Sequence, residues 1–282
     1  MKVIRSVKEM CAYAQVKRRE GKKIGFVPTM GALHSGHLSL INKARKESDV
    51  VVISIFVNPI QFGPKEDFRR YPRNFSEDRR IAEKAGVDVL FFPSTQGIYP
   101  QGYCTYIRVE GLSNKLCGAF RPTHFQGVAT VVAKLFNIVQ PDIAYFGQKD
   151  FQQVVIIKRM VEDLNIPVKI KSLPIVREKD GLAMSSRNRY LNEQEREKAR
   201  ILFQSLQLAR RLVEGGERRA EAVVRQMKRV IRERVPEARI DYVSIVDPKS
   251  LEEVSKIKKK VLVAVALWIG KARLIDNMLI KV

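Results

Sequence analysis

Five apolar runs, at 23–28, 50–57, 87–92, 143–146 and 168–176, have the length and the Val, Ile and Phe content of strands. Between them, residues 36–47, 75–85, 125–139 and 151–164 space their apolar side chains three and four apart, as amphipathic helices do. The run VVVISIFV from Val50 to Val57 is apolar on both faces. A strand is continuous in this way when helices cover its sheet on both sides. The alternation predicts an α/β fold built on a doubly wound, Rossmann-like parallel sheet. Ligands of such a sheet bind beyond the carboxyl ends of its strands.

The period changes after Arg177. REKDGLAMSSRNR is polar and rich in turn formers, and Asn192 with Glu195 has capping-box spacing. Ala199, Leu202, Phe203, Leu206, Ala209 and Leu212 then form one helical stripe, which Gly215 and Gly216 end. A strongly basic helix follows to about Arg234, before Pro236. Residues 240–246, 261–268 and 278–282 read as strands. The expected domains are 1–176, the Rossmann-like ligand-binding domain, and 177–282, a smaller C-terminal α+β domain that acts as a lid.

Composition narrows the class. With 282 residues the chain can bury about three quarters of its unfolded surface and needs no covalent staple. Cys11, Cys104 and Cys117 form no CxxC pair and are odd in number, which argues against a zinc spacing or a disulfide framework. MKVIRSVKEMCAYAQ lacks the apolar centre of a signal peptide. The longest apolar stretch, 261–269, is too short for a bilayer, so a cytoplasmic protein with no membrane partner is expected. The net charge of +22 raises a nucleic-acid reading. Yet many basic residues sit four from a glutamate on helical faces, as Glu214 with Arg218 and Glu221 with Arg225. A solvated basic surface and a polyanion site both remain open, and no nucleic-acid partner is expected.

The chemistry concentrates at strand ends. PTMGALHSGH lies where the first strand run meets a helix, with His34 and His37 three apart and able to face one side of the first helical turn. The helix start offers unpaired N–H groups and a positive dipole end to phosphate. An imidazole N–H can stabilise charge developing on phosphate oxygens. Met184, Ser185, Ser186 and Arg187 put two hydroxyls beside a guanidinium, which suits a triphosphate, although a polar interdomain linker would have the same composition. Phe146-Gly147-Gln148-Lys149-Asp150 again opens a helix after a strand. Lys149 is placed to meet phosphate, and Asp150 to cap the helix or hold a ribose hydroxyl. In FVNPIQF, Asn58 and Gln61 offer neutral donors and acceptors suited to a hydroxy acid.

HxGH in the first strand–helix turn resembles the HIGH motif of the adenylyl-transferring superfamily that includes class I aminoacyl-tRNA synthetases, and MSSR resembles that superfamily's KMSKS loop. The chain is similar above all to the pantoate–β-alanine ligase family. PTMGALHSGH, IFVNPIQF, RYPR, RPTHFQGV, FGQKD, MSSRN and RLIDN follow one another from Pro28 to Asn277. The resemblance implies condensation of pantoate with β-alanine through pantoyl adenylate, with release of pyrophosphate and AMP. It also implies magnesium and a homodimer. Met30, Gly31, Ala32, Leu33, His34, Ser35, Gly36 and His37 would bind ATP. So would Gly147, Gln148, Lys149, Asp150, the Val176 backbone, Met184, Ser185, Ser186 and Arg187. Gln61 would touch pantoate and β-alanine, Gln153 would hold pantoate, and Asn58 would join them. His37, as proton donor, would act with His34 and Lys149. Arg121 and His124 could close over substrate or simply cap a helix. Glu77 or Asp78 could help hold magnesium or favour the dipole of the helix they start. The metal ligands stay unassigned.

The residues agree with that chemistry. A hydroxy-acid carboxylate of pKa about 4 is ionised at pH 7, so adenylation needs positioning and charge neutralisation rather than a base. A Gly-rich dinucleotide fingerprint is missing, which counts against a dehydrogenase. The rival readings are another nucleotidyltransferase of the superfamily and a nucleic-acid-binding module. The first would keep HxGH and replace FVNPIQF and GQKD. The second would show aromatics interleaved with basic residues, and aromatics are only 8%.

Overall fold

β3, Val50–Ile55, is buried along its whole length, as its two-sided apolar sequence requires. It pairs in parallel with β2, Ile24–Thr29, and with β4, Val89–Phe91. In the computed structural model, which describes residues 1–64 and 66–282, these strands belong to a six-stranded parallel sheet. Its order is β1-β4-β3-β2-β5-β6, with β1 Lys2–Ile4, β5 Ile143–Gly147 and β6 Lys169–Leu173. The chain winds outward from β2 through β3 to β4, then returns to β5 on β2's other side. The order reverses between β2 and β5, and a ligand crevice lies beyond the carboxyl ends of such a pair.

Helices α1 Val7–Arg19, α2 Ser35–Glu47, α3 Phe75–Lys84, α4 Thr95–Ile98, α5 Cys117–Phe120, α6 His124–Val139 and α7 Phe151–Asp163 connect these strands. Glu47, at the end of α2, binds Lys171 of β6 at 2.6 Å, Lys43 at 3.0 Å and the Tyr145 hydroxyl of β5 at 2.9 Å. Lys171 chiefly, then Lys43, holds the Glu47 carboxyl down at about 2.

After β6 come α8 Glu193–Ala199, α9 Ile201–Glu214 and α10 Ala220–Arg234. The strands β7 Arg239–Val246, β8 Val261–Ile269 and β9 Ala272–Ile280 form an antiparallel sheet. Leu202, Leu206, Val223, Met227 and Ile231 of the helices join Val263, Val265 and Leu267 of β8 in one buried core. Each such side chain contributes about 1.5–3 kcal/mol on burial. The chain divides into two units. One is Met1–Ser113, Arg121–Gln148 and Gln153–Pro174; the other is Asn114–Phe120, Lys149–Gln152 and Ile175–Val282.

The α/β class, the parallel sheet and the small C-terminal α+β part agree with the expectation; several elements differ. β1 and α1 were not foreseen, because three residues carry too little period for a strand. Ser6 nevertheless caps α1 through the Glu9 N–H. The helical stripe from 192 is two helices that meet at Arg200, and the Asn192–Glu195 capping box is present. The fifth apolar run stops at Leu173 rather than at 176. The last strand starts at Ala272, not 278, because polar Asp276 and Asn277 are buried within it. Gly270, at φ 54°, and Lys271 form the tight turn from β8.

Candidate active site

The turn from β2 to α2 holds Met30, Gly31, Ala32, Leu33 and His34 in a conformation that side chains resist. Gly31 has φ 81° and Ala32 φ 51°. A Cβ on Gly31 would lie 2.8 Å from an Asp78 oxygen and 3.0 Å from Ile55 Cγ2, so glycine is required for space as well as for φ. Ala32 bears a cost of about 1 kcal/mol for its left-handed backbone. Asp78 offsets that cost. Its carboxylate accepts the Ala32 N–H at 2.9 Å and the Leu33 N–H at 2.7 Å, and all three residues are buried. Thr29 Oγ1 accepts the Gly31 N–H at 3.1 Å and donates to the Ser54 carbonyl at 2.7 Å. Asp78 therefore spends both oxygens on the turn, beyond the role of an acid at the start of α3. Glu77 pairs with Arg80.

His34 caps α2. Its Nδ1 accepts the Gly36 N–H at 3.1 Å, while His37 Nδ1 accepts the His34 N–H at 3.3 Å. The ring centroids are 4.1 Å apart. A backbone N–H can only donate, so neither Nδ1 carries a proton. Each imidazole is therefore the neutral Nε2–H tautomer, a donor rather than a base at that nitrogen.

Gln61 ends the short 3₁₀ turn Pro59–Gln61 after β3 and is buried. Its Nε2 donates to Met30 Sδ at 2.9 Å, which brings the first residue of the β2–α2 turn onto it. His124 Nδ1 lies 2.8 Å from the Gln61 carbonyl and donates to it; Arg121 reaches the same oxygen at 3.4 Å. Glu66 holds the Arg121 guanidinium at 2.7 and 2.5 Å. Gly127 of α6 lets the helix approach: a Cβ there would fall 2.5 Å from the Ile60 carbonyl oxygen and 2.7 Å from Gln61 N and Cα. Arg121, His124 and Gly127 of RPTHFQGV thus act on the backbone that carries Gln61. Asn58 is buried beside it, with its Nδ2 3.1 Å from Gln61 Oε1. Arg73 of RYPR donates to the Phe68 carbonyl and stacks on its ring. Gly147 ends β5, next to β2, and Gln153 lies half-buried in the first turn of α7.

In the second unit, Lys149 and Asp150 lie in the 3₁₀ turn Gln148–Asp150. The Lys149 carbonyl accepts Asn277 Nδ2 at 2.9 Å. Asp276, the neighbouring residue on β9, takes a bidentate pair from Arg177 at 2.6 and 3.0 Å. Burial raises the Asp276 carboxyl above its ordinary range, against the pull of Arg177. The Arg177 guanidinium also stacks on Phe203 at 4.1 Å and donates to the Gly181 carbonyl. Arg177 and Ala183 form an antiparallel bridge, and the Met184 N–H donates to the Val176 carbonyl at 2.9 Å. Met184, Ser185, Ser186 and Arg187 therefore leave a tight hairpin, not a loose linker. Ser185 Oγ accepts the Arg187 N–H at 3.3 Å and caps the turn Ser186–Tyr190. Asn188 donates to Glu178 and to the Ala183 carbonyl, and Arg196 binds Glu178 and Asp180. RLIDN carries part of the family resemblance, with no role attached to its residues by sequence alone; its Asp276 and Asn277 secure the roots of two candidate ATP segments. Its legible signal was two polar residues interrupting an apolar strand.

A family profile described as Pantoate-beta-alanine ligase matches residues 2–279. A pantothenate synthetase of Heliobacterium modesticaldum is 56% identical over 285 residues, covering 100% of both chains. One of Thermotoga petrophila is 55% identical over 280 residues, covering 99% of this chain and 100% of the relative. A crystal structure of pantothenate synthetase from Thermus thermophilus superposes with a TM-score of 0.93 at 46% identity over 99% of each chain. The pantoate-beta-alanine ligase of Francisella tularensis, complexed with Beta-gamma ATP and beta-alanine, superposes at 0.81 with 37% identity, over 99% of this chain and 97% of that one. With motifs, fold and full-length similarity in agreement, the chain belongs to the pantoate–β-alanine ligase family.

Proposed function

We propose that this chain joins pantoate to β-alanine at the expense of ATP, through an enzyme-bound pantoyl adenylate. The observation that carries the reading is the β2–α2 turn at the switch point of the sheet. Two neutral imidazoles have both Nδ1 atoms occupied by backbone N–H groups, on a turn fixed by Asp78. A neutral Nε2–H donates to phosphate oxygens without taking the carboxylate's place as nucleophile. In the first step a pantoate carboxylate oxygen attacks the α-phosphorus and pyrophosphate leaves. His37 and His34 donate hydrogen bonds to the α-phosphate oxygens, with Lys149 and Arg187 supplying positive charge and Ser185 and Ser186 further donors. Gln61 and Gln153 orient pantoate, and Asn58 belongs to the same cluster. In the second step the β-alanine nitrogen attacks the acyl carbon, the C–O bond to phosphate breaks, AMP departs and the nitrogen sheds a proton. The ATP and β-alanine in the Francisella relative support both substrates.

Magnesium enters with ATP. Among the described residues no three His, Cys, Asp or Glu gather as a metal cage, and Asp78 is committed to the turn. An ion carried on the triphosphate needs at most one or two carboxylates. The proposal extends to a homodimer in the cytoplasm and to residues 177–282 as a lid that excludes water from the anhydride. Among the described residues no helix is long and apolar enough to cross a membrane. The deciding experiment is AMP release with ATP, magnesium, pantoate and β-alanine, each omitted in turn. Full release is expected only with all four, and release independent of either acid would overturn the reading.

A further inference from the structure

The Gln61 amide has its two ends assigned by a chain of hydrogen bonds that starts far away in sequence. Asn58 Nδ2 donates to the Gly127 carbonyl at 3.0 Å and to Gln61 Oε1 at 3.1 Å. A backbone carbonyl can only accept, so the Asn58 NH₂ must face Gly127. The same NH₂ faces Gln61, so Gln61 must turn its oxygen inward and its NH₂ toward Met30. Asn58 Oδ1 in turn accepts the Tyr99 hydroxyl at 2.8 Å. Asn58 is 1% exposed, so an inverted amide there would set two donors or two acceptors against each other out of water.

Tyr99 is built to serve as that donor. It ends α4, and its ring packs on Phe56 at 6.1 Å and on Tyr103 at 5.0 Å. Lys134 of α6 lies over both tyrosine rings, 4.5 Å from the Tyr103 centroid. Burial keeps the Tyr99 hydroxyl protonated far above neutral pH. We propose that Tyr99 is a positioning residue: through Asn58, its hydroxyl acts with the Gly127 carbonyl to hold the polarity of the Gln61 amide, so that an NH₂ donor meets the hydroxy-acid substrate. Pantoate brings a carboxylate and hydroxyl oxygens, and an amide carbonyl turned toward that carboxylate would repel it. The inference rests on the reading that Gln61 binds pantoate.

The test is pyrophosphate–ATP exchange with pantoate, measured on Tyr99→Phe, Gln61→Ala and the double variant. Tyr99→Phe keeps the ring and should raise KM for pantoate about tenfold, as loss of one oriented hydrogen bond does, with KM for ATP and kcat changed less than twofold. In the Gln61→Ala background the same change should add less than twofold. A unit that had merely loosened would lose kcat and both KM values together. If Gln61→Ala raises KM for pantoate and Tyr99→Phe does not, the relay is wrong. If Gln61→Ala itself leaves KM for pantoate unchanged, the underlying reading fails instead. Gln61→Glu tests the polarity without touching Tyr99. It should raise KM for pantoate more than Gln61→Ala, and a value equal to wild type would overturn the assignment of a donor.

Discussion

Asp78→Ala removes the carboxylate that holds the Ala32 and Leu33 backbone of the turn, and leaves both histidine side chains in place. The carboxylate it removes accepts two backbone N–H groups, at 2.9 and 2.7 Å, where Asp78, Ala32 and Leu33 are 3%, 3% and 2% exposed. Each buried N–H left unmatched costs about 1–3 kcal/mol, and the strained Ala32 backbone then has about 1 kcal/mol to gain by relaxing. Release of a buried charge offsets part of the sum. A net loss of about 3 kcal/mol is expected. With a urea slope near 3 kcal/mol/M, that lowers the midpoint of the first unfolding transition by about 1 M. A turn displaced by even 1 Å misplaces its N–H groups and both histidines. The variant should therefore lose on the order of a hundredfold in kcat/KM for ATP. Asp78→Asn keeps the volume and one acceptor, and should fall between. Urea melts and initial rates against ATP are the assays. A midpoint within 0.2 M of wild type (about 0.6 kcal/mol at that slope) for both variants, with kcat/KM within twofold, would refute the claim that Asp78 holds the turn.

Three further outcomes follow from the same structure. Glu47→Gln should be less stable than wild type at pH 7. Because the folded Glu47 carboxyl titrates at about 2, below its ordinary value, the difference should shrink as pH falls from 5 toward 2, and a constant gap in urea midpoint would contradict it. Gly127→Ala should drive a methyl into the Ile60 and Gln61 backbone, costing about 1–3 kcal/mol and raising KM for pantoate; unchanged melting and KM would show that α6 is not what seats Gln61. His37→Ala should lower turnover about a hundredfold or more and cost about 1 kcal/mol of stability through the lost cap on the His34 N–H, and near-native turnover would remove it from the mechanism.

What the sequence made legible follows from range. β2 and β3 were plain because one apolar run per strand suffices to identify a strand buried on both faces. The His34–His37 turn was plain because its spacing is local. The ties that hold the site were not. Asp78 lies 45 residues from Leu33, and Tyr99 41 from Asn58, so neither leaves a period or a short motif. Asp276 and Asn277 hid the start of β9, since a buried ion pair and a buried amide look like loop composition until Arg177 and Lys149 are placed against them. From sequence alone, Arg121 and His124 suit a substrate-facing role and a helix-capping role equally. Their contacts fall on the Gln61 carbonyl, a partner that no pattern along the chain reveals.

The central claim is that the carboxylate attacks ATP directly and that an adenylate forms before any amine is needed. Exchange of labelled pyrophosphate into ATP, measured with ATP, magnesium and pantoate alone, tests it most directly. Reversal of the first step predicts rapid exchange that vanishes when pantoate is withheld and falls in Gln61→Ala and Gln153→Ala, which loosen the in-line hold on the nucleophile. Exchange that strictly required β-alanine would mean a concerted reaction or a different acid, and would contradict the adenylate pathway.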